Sequence, residues 1–320
     1  MSGTTWIFVN KELKVITIES DFGAGKKGAK LGPQATLKQL QILGNQTFCN
    51  SEVIRVQADG LETENLPPFS KNIESIFDVH QRALLAVESV LAENKFPFVI
   101  SGDHSNGAAV ISAIKNFYHD KKLGVIWIDA HADLHSPFTT PSGNMHGMPL
   151  AVNLGVDDGL DGDDNEVSEK EIKLWQQLLA LGSKKITPKI FPEDLVFIDL
   201  RDFEEEEELI INNMGIKYFT PETRKSIGIE AILLQTLEHL NSCDLIYVSF
   251  DVDSLDPEIS IGTGTPVPDG LSLSEAGFLL TSFLQNKKII GLEFTEINPL
   301  LDRDKPMELV AASLIHQIFS

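Results

Sequence analysis

Asp129, His131 and Asp133 form a group of potential metal ligands that directly follows the apolar run Val125–Ile128. Alternate residues of an extended segment point to the same side of that segment. The three side chains are therefore predicted to project together from the end of a buried strand. A carboxylate or imidazole on its own is usually a cap or a satisfied polar group, so the meaning of this group depends on what lies beside it.

Two further groups of potential ligands have the same relation to an apolar run. Asp251 and Asp253 follow Leu245–Phe250, and His104 follows Phe98–Ile100 after a short turn. If these runs are parallel strands, the groups lie at their carboxyl ends, where open α/β sheets place their ligand sites. We therefore expect the three groups to converge on one site.

The composition of this site predicts metal-dependent hydrolysis. Burying several carboxylates together costs much free energy unless cations balance their charge. Four carboxylates and two imidazoles suit a hard divalent ion such as manganese better than a thiolate-type zinc site. Six side chains are too many for one ion that must also hold water and substrate. Two ions roughly 3.5–4 Å apart can ionise a shared water at neutral pH, so the residues predict a dinuclear hydrolase.

The rest of the chain predicts the parallel sheet that this convergence requires. Six apolar runs are typical of strands buried on both faces: Val15–Ile18, Phe98–Ile100, Val125–Ile128, Leu195–Ile198, Leu245–Phe250 and Ile289–Leu292. Helical patterns lie between them, at Ile73–Glu93, Ser105–Phe117, Lys170–Leu181, Glu230–Leu240 and Ser274–Gln285, and Pro33 marks another helix start. This alternation predicts an α/β fold with three layers, α/β/α, around a central, mostly parallel sheet. No repeat or long linker interrupts it, so residues 1–320 are expected to form one domain.

Charge and composition narrow the class of partner. The chain carries 26 basic and 47 acidic residues, a net charge of −21. That balance disfavours nucleic acid and anionic membrane, because phosphate binding needs a basic surface, and it suits a cationic substrate or bound metal ions. No membrane-length apolar stretch or signal peptide is apparent, which favours a cytoplasmic protein. Two cysteines, Cys49 and Cys243, do not make a disulfide framework.

Two acidic stretches have ordinary explanations. Residues 157–169 are predicted to form a solvated surface loop. Their spacing is superficially like that of a calcium loop, but Glu166 stands at the position of the invariant glycine and Ile172 at that of the bidentate acid. The sequence therefore argues against calcium there. The run Glu204–Glu208 is expected to be the exposed start of a helix.

Five segments together resemble the ureohydrolase family. They are SGDHS (101–105), DAHADLHSPFTTPSGNMHGMPLA (129–151), SFDVDSLDP (249–257), GTGTPVPDGLS (262–272) and GLEFTEINP (291–299). The stretch TTPSGNMHGMP (139–149) is similar to arginases rather than to agmatinases. The resemblance covers nearly the whole chain and implies an arginase-like fold.

The resemblance also implies a two-manganese site, with two Mn²⁺ per subunit. One ion would be bound by His104, Asp129, Asp133 and Asp251. The other would be bound by Asp129, His131, Asp251 and Asp253. A bridging hydroxide would attack the guanidinium carbon of L-arginine and give L-ornithine and urea. The implied catalytic residues are Asp133 as proton donor to the departing amine, His146 as proton shuttle and Glu296 as the acid that holds the guanidinium group.

The substrate residues implied by the resemblance include two departures from the arginase type. The residues at the positions that bind the α-carboxylate in arginases are His135, Thr140, Ser142 and Asn144. Thr265 is also assigned to substrate binding. At position 135 arginases usually carry asparagine, and we expect the histidine to donate to the carboxylate instead. Asp202 and Glu204 match the segment that binds the α-amino group, but Glu204 replaces the usual aspartate.

Several alternatives remain at the level of the sequence. The same metal site could serve agmatine, guanidinobutyrate or formiminoglutamate, and a non-catalytic metal-binding regulatory protein is a further alternative from another class. Gly23, Gly25 and Gly28 give a G-x-G-x-x-G match, but the predicted helix starts beyond it, so a loop over the substrate mouth or a structural turn is favoured. The resemblance also implies a homo-oligomer, a trimer or hexamer.

Overall fold

The computed structural model describes residues 11–49, 51–58, 66–156, 165–302 and 306–319. Most of the acidic loop predicted at 157–169 lies outside these residues. Within them the strands are β1 (Leu13–Glu19), β2 (Val53–Gln57), β3 (Phe96–Ser101), β4 (Leu123–Ile128), β5 (Leu195–Ile198), β6 (Lys217–Phe219), β7 (Leu245–Asp251) and β8 (Ile289–Thr295). The α-helices are α1 (Gly32–Ile42), α2 (Gln46–Cys49), α3 (Ile73–Ala92), α4 (Gly107–Phe117), α5 (Pro149–Leu154), α6 (Glu169–Leu179), α7 (Glu205–Met214), α8 (Pro221–Ile227), α9 (Ile229–His239), α10 (Leu273–Leu284) and α11 (Met307–Ile318).

The described strands form one parallel sheet in the order β2-β1-β3-β8-β7-β4-β5-β6. The six inner strands are those predicted from apolar runs, and the predicted α/β fold is confirmed. The edge strands β2 and β6 were not predicted. Only Val56 of β2 and Phe219 of β6 are buried, so neither segment has the continuous apolar run that marks a strand covered on both faces.

Helices cover both faces of the sheet because successive side chains of a strand point to opposite sides. In β4, Val125 and Trp127 pack into one hydrophobic core, and Ile126 and Ile128 pack into the other. Helices α3 to α6 contribute to the first core, and α1 and α9 to α11 to the second. All six residues of β4 are buried, which is the arrangement that the apolar run predicts.

The strand order determines where the predicted ligands meet. Strands β8 and β7 lie between β3 and β4, so the loops after β3, β4 and β7 open onto one stretch of the carboxyl edge. The register pairs Ile128 with Phe250 and Asp251 with Thr295. Asp129 and Asp251 therefore leave adjacent strands at the same height, and Glu296 leaves the next strand beside them.

Two local predictions have different outcomes. Helix α1 begins at Gly32 with Pro33 in its first turn, as predicted. Helix α7 begins after Glu204, also as predicted, but its start is not uniformly exposed. Glu207 is only 3% exposed, because this side chain turns back under the carboxyl edge of the sheet. Among the described residues, none of the helices has the length and apolarity needed to cross a bilayer.

Candidate metal centre and substrate pocket

The imidazole of His104 lies at the centre of a group of buried carboxylates. Its Nδ1 is 2.9 Å from Asp129 Oδ2 and 3.1 Å from both Asp133 Oδ2 and Asp251 Oδ2. These four residues come from the ends of β3, β4 and β7, as the sequence predicted. The ligand atoms of His104, Asp129 and Asp133 lie within 4.8 Å of one another.

A second group shares Asp129 with the first. His131 Nδ1 lies 3.0 Å from Asp253 Oδ2 and 3.5 Å from Asp129 Oδ1, and the ligand atoms of these three residues also lie within 4.8 Å of one another. The Thr265 hydroxyl donates to Asp253 Oδ2 at 3.1 Å. The predicted substrate residue Thr265 thus contacts a predicted metal ligand. Two ligand groups with a common carboxylate are the arrangement expected for a pair of ions.

A chain of buried residues orients His104. Its ring stacks on Trp127, with centroids 4.0 Å apart and planes inclined by 6°. The Ser249 hydroxyl donates to Glu293 Oε2 at 3.2 Å and lies 2.8 Å from His104 Nε2, and Tyr247 also donates to Glu293. Because the serine proton is used on Glu293, Nε2 is the ring nitrogen that donates to Ser249. The Nδ1 lone pair then faces the carboxylates, as in a metal-binding histidine.

The charges of the centre are unbalanced without a cation. Burial raises the pKa of Asp133 to about 6, with a further contribution from the charge of Asp129. Burial and the charge of Asp253 raise the pKa of Asp251 well above its ordinary value. Burial opposes protonation of His104, but the close contacts of its Nδ1 with the carboxylates around it raise its pKa well above the usual range. Each shift reflects negative charge that bound cations would balance.

The side chains fit the metals that the sequence predicts. His104 Nδ1, Asp129 Oδ2 and Asp133 Oδ2 are buried and have no hydrogen-bond partner among the described residues. Buried polar atoms without partners are rare and need an explanation, and the three point at one another. Carboxylate-rich donors with imidazole nitrogens suit a hard divalent ion such as manganese.

Two residues of the centre have left-handed backbone conformations that non-glycine residues seldom adopt. They are Asp133, with φ 54°, and Glu296, with φ 62°. Such conformations cost roughly 1–3 kcal/mol each and persist only where the surroundings enforce them. Here they turn each carboxylate from the end of its strand back towards His104.

Glu296 and His146 form a pair beside the ligand groups. Glu296 Oε1 accepts from the His104 backbone N–H at 2.9 Å and lies 3.2 Å from His146 Nδ1. Burial alone would lower the pKa of His146, but the hydrogen bond and charge of Glu296 raise it to about 9. His146 is therefore protonated at neutral pH when no metal is bound. Its ring lines the pocket, whereas Glu296 lies behind it.

A cavity of about 270 Å³ opens above the ligand groups. Every predicted site residue except Glu296 lines it, and the further lining residues are Pro141, Gly147 and Glu207. The Thr140 hydroxyl accepts from the backbone N–H groups of Ser142 and Gly143, and Ser142 Oγ accepts from the Asn144 N–H. These bonds use the hydroxyl oxygens as acceptors, so both hydroxyl protons remain available to a ligand.

Another wall of the cavity is acidic. Asp202 Oδ2 lies 3.6 Å from His131 Nε2, and Glu204 Oε2 lies 3.2 Å from His135 Nε2. Hydrogen bonding to His135 lowers the pKa of Glu204 to about 2. Burial raises the pKa of Glu207 to about 8. The cavity therefore joins a hydroxyl-rich wall, an acidic wall and a carboxylate-rich floor.

The comparisons with known proteins agree with this geometry. The model of the arginase family matches residues 11–320. The chain is 31% identical to the arginase of Bacillus subtilis (strain 168), over 97% of this chain and 98% of that protein. It is 35% identical to an arginase of Staphylococcus aureus (strain MSSA476), over 97% of each chain. This chain belongs to the arginase family. It is a ureohydrolase, an enzyme of the class that hydrolyses linear amidines.

A solved arginase has the same fold. The crystal structure of Entamoeba histolytica arginase in complex with L-ornithine superposes with a TM-score of 0.81 at 26% identity, covering 97% of this chain and 99% of that one. The arginase-like fold predicted from the motifs is therefore confirmed.

The glycine-rich match is a structural loop of this arginase-family fold, and no helix starts within it. The Gly23 N–H donates to Asp103 Oδ2 at 3.0 Å, and the Gly23 carbonyl accepts from the His146 N–H at 3.2 Å. Lys26 Nζ donates to the Gly264 carbonyl at 2.6 Å. A Cβ on Gly23 would lie 2.5 Å from Asp103 Oδ1. The loop therefore packs beside the substrate mouth, as favoured from the sequence.

Sequence reasoning missed several residues that support the arginase-family centre. Tyr247, Ser249 and Asp251 alternate along β7, so period-two spacing could have indicated that the first two support the third. Glu207 follows Glu204 by three residues, the spacing of a capping pair, and its Oε2 accepts from the Glu204 N–H at 3.2 Å. Its burial could not be read from a run of five acidic residues.

Proposed function

We propose that this enzyme hydrolyses the guanidino group of L-arginine to L-ornithine and urea. The observation that carries the proposal is the cavity itself, which has predicted metal ligands on its floor and two chemically distinct walls above them. A free amino acid with a cationic side chain has matching groups: a guanidinium, an α-carboxylate and an α-amino group. The similar E. histolytica arginase, crystallised in complex with L-ornithine, adds support.

The two ligand groups would hold two Mn²⁺ ions, with Asp129 and Asp251 as the shared ligands. Asp129 faces both histidines, at 2.9 Å from His104 Nδ1 and 3.5 Å from His131 Nδ1, which supports its bridging role. The metal pair would supply a water ionised at neutral pH. Four carboxylates would balance the charge of two divalent ions, so the loaded centre would not repel a cationic guanidinium, and the further carboxylate of Glu296 beside it would attract one.

Three residues would carry the proton and binding steps. Asp133 would hold a proton on its carboxylate and deliver it to the departing amine, a role that its place on the cavity floor supports. His146 would move protons between the cavity and solvent, and its side chain is 20% exposed. Glu296 would provide the negative charge that holds the guanidinium group. Its left-handed backbone keeps the carboxylate at His146 rather than in solvent.

The hydroxyl-rich wall and the acidic wall of the cavity would bind the α-carboxylate and the α-amino group of the substrate. Thr140, Ser142 and Asn144 would donate to the α-carboxylate, because the two hydroxyl protons and the amide N–H₂ group are suitable donors. Asp202 and Glu204 would face the α-amino group. A substrate that lacks either group would leave one wall without its partner, which costs affinity.

Urea release from a panel of guanidines tests this proposal. Metal-loaded protein should turn over L-arginine much faster than agmatine, which lacks the carboxylate, and faster than guanidinobutyrate, which lacks the α-amino group. Manganese should support more activity than magnesium or zinc. Turnover of agmatine, guanidinobutyrate or formiminoglutamate without turnover of L-arginine would contradict the substrate assignment while leaving the ureohydrolase chemistry intact. Assembly into a trimer or hexamer remains a prediction that light scattering would test.

A further inference from the structure

The two departures from the arginase type in the substrate region lie in contact with each other. His135 stands where arginases usually carry asparagine, and Glu204 stands where they usually carry aspartate. Although they are 69 positions apart in the chain, His135 Nε2 lies 3.2 Å from Glu204 Oε2. Two unusual residues that touch are best explained as one change, and their contact defines what each of them does.

Both ring nitrogens of His135 have partners within the protein. His135 Nδ1 lies 3.2 Å from Thr139 Oγ1, which accepts from the Ser136 N–H at 3.1 Å. Because the Thr139 oxygen accepts from the backbone, the proton of the Thr139 hydroxyl can be donated to His135 Nδ1. Nε2 then carries the ring proton and donates it to Glu204. The His135 side chain is 7% exposed, so the ring has no free donor for a substrate carboxylate.

The contact with His135 restricts the position of the Glu204 carboxylate. Glu204 is the mobile partner, with a side chain that is 55% exposed and one more methylene than aspartate. Beneath it, Glu207 is fixed by the N–H groups of Leu134 and Glu204, at 3.0 and 3.2 Å. His135 therefore holds one oxygen of Glu204 against a rigid wall. The Glu204 side chain also lines the cavity, so its carboxylate can meet a ligand there.

We propose that His135 is a positioning residue that holds Glu204 at the α-amino end of the substrate, and that the two form a matched specificity pair. The shorter asparagine and aspartate of the arginase type would be replaced here by a longer, coupled histidine and glutamate. This inference rests on the proposed function. On this proposal the α-carboxylate of the substrate is bound by Thr140, Ser142 and Asn144, and His135 does not contact it.

A double-mutant cycle tests the coupling. The variants are His135→Asn, Glu204→Asp and the combination of both. Each single variant should raise the KM for L-arginine roughly 10- to 100-fold, as expected when a hydrogen bond to a charged group is lost, with kcat changed less than about twofold because the contact is remote from the reacting carbon. The double variant should recover to within about threefold of the wild-type KM. A double variant whose loss equals the product of the two single losses would overturn the pairing.

Two analogues show which end of the substrate His135 affects. 5-Guanidinopentanoate keeps the carboxylate and has no hydrogen-bond donor at the α position, so His135→Asn should leave its KM unchanged. Agmatine keeps an amino group and lacks the carboxylate, so the same substitution should raise its KM. The opposite pattern would overturn the proposal, because it would make His135 the reader of the carboxylate. Ser142→Ala is the matched control: it should raise the KM for 5-guanidinopentanoate and show no coupling to Glu204→Asp.

The experiment separates this inference from the proposed function. If wild-type protein releases no urea from L-arginine, the proposed function fails, and the same cycle is then measured as the affinity for L-ornithine by titration calorimetry. Coupled losses of affinity in the single variants would still support the pair, and additive or absent losses would refute it. Thermal unfolding of each variant shows that it is folded, and if His135→Asn is unstable the cycle is measured with His135→Gln in its place.

Discussion

Replacing Glu296 with glutamine should change the protonation of His146 by a large amount. Glutamine keeps the shape of the side chain and an oxygen that can accept from the His104 N–H, but it removes the negative charge 3.2 Å from His146 Nδ1. That contact is the main reason that the pKa of His146 is raised to about 9 in the metal-free protein, since burial acts in the opposite direction. Without it we expect the pKa to fall to near the ordinary value of 6.5.

The size of the effect follows from the difference between these values. Each pKa unit corresponds to about 1.4 kcal/mol, so a fall from about 9 to near 6.5 removes roughly 3 kcal/mol of preference for the protonated ring. A raised pKa in the folded state contributes stability that is fully present below pH 6.5 and is lost as the pH rises towards 9. The metal-free wild type should therefore lose stability across this window, and Glu296→Gln should lose much less.

Two measurements check this prediction on chelator-treated protein. Carbon-13 labelled histidine gives the pKa of His146 by NMR titration, with its signal assigned from its absence in His146→Asn. Urea unfolding at pH 6.5, 7.5 and 8.5 gives the free energy of unfolding across the window. If the His146 signal titrates at the same pH in Glu296→Gln as in the wild type, the pair does not set the protonation of this ring and the reasoning is wrong.

Three further perturbations have defined expectations. Asp251→Asn should reduce bound manganese from two ions to one or fewer per chain and lower kcat at least roughly 100-fold, because it removes a shared ligand; unchanged metal content by mass spectrometry would contradict the bridging assignment. Ser249→Ala should weaken metal binding roughly 10- to 100-fold by removing the hydroxyl 2.8 Å from His104 Nε2, whereas Ser112→Ala, which alters a buried helix serine, should bind metal normally in the same calorimetric titration. Lys189 is fully buried, and burial lowers its pKa to about 7. The lysine therefore binds its proton more tightly in the unfolded chain than in the folded one. The free energy of unfolding should accordingly rise between pH 7 and 10.5. Lys189→Met should abolish that rise and increase the free energy of unfolding at pH 7 by about 1–3 kcal/mol; a decrease measured by urea unfolding would show that the bonds of Lys189 to the backbone outweigh the cost of its burial.

The ligand set could be predicted from the sequence because the signals are local. Asp129, His131 and Asp133 directly follow an apolar run, and the carboxyl end of such a strand is where an α/β sheet places its ligand sites. The six inner strands were found for a similar reason, since a strand covered on both faces is apolar throughout. Local sequence patterns therefore predict both the candidate metal ligands and the fold class.

The edge strands and the burial of Glu207 could not be predicted in this way. Strands β2 and β6 have partners on one side only, and most of their side chains are not fully buried. Nothing within the run Glu204–Glu208 distinguishes the one glutamate that accepts from the Leu134 N–H, 73 positions away. Such contacts depend on how distant elements pack and not on neighbouring residues.

The residue types at the strand ends can be read from the sequence, and they predict a metal-dependent hydrolase that resembles the arginase family. How those strand ends combine depends on the order of the strands in the folded sheet. The insertion of β7 and β8 between β3 and β4 brings His104 to within 3.1 Å of three carboxylates. It also brings His135 to Glu204, so that a residue expected to read the substrate carboxylate has both ring nitrogens bound within the protein. The physical reason is that a side chain's chemistry is fixed by its type, whereas its partners are fixed by the order of the strands.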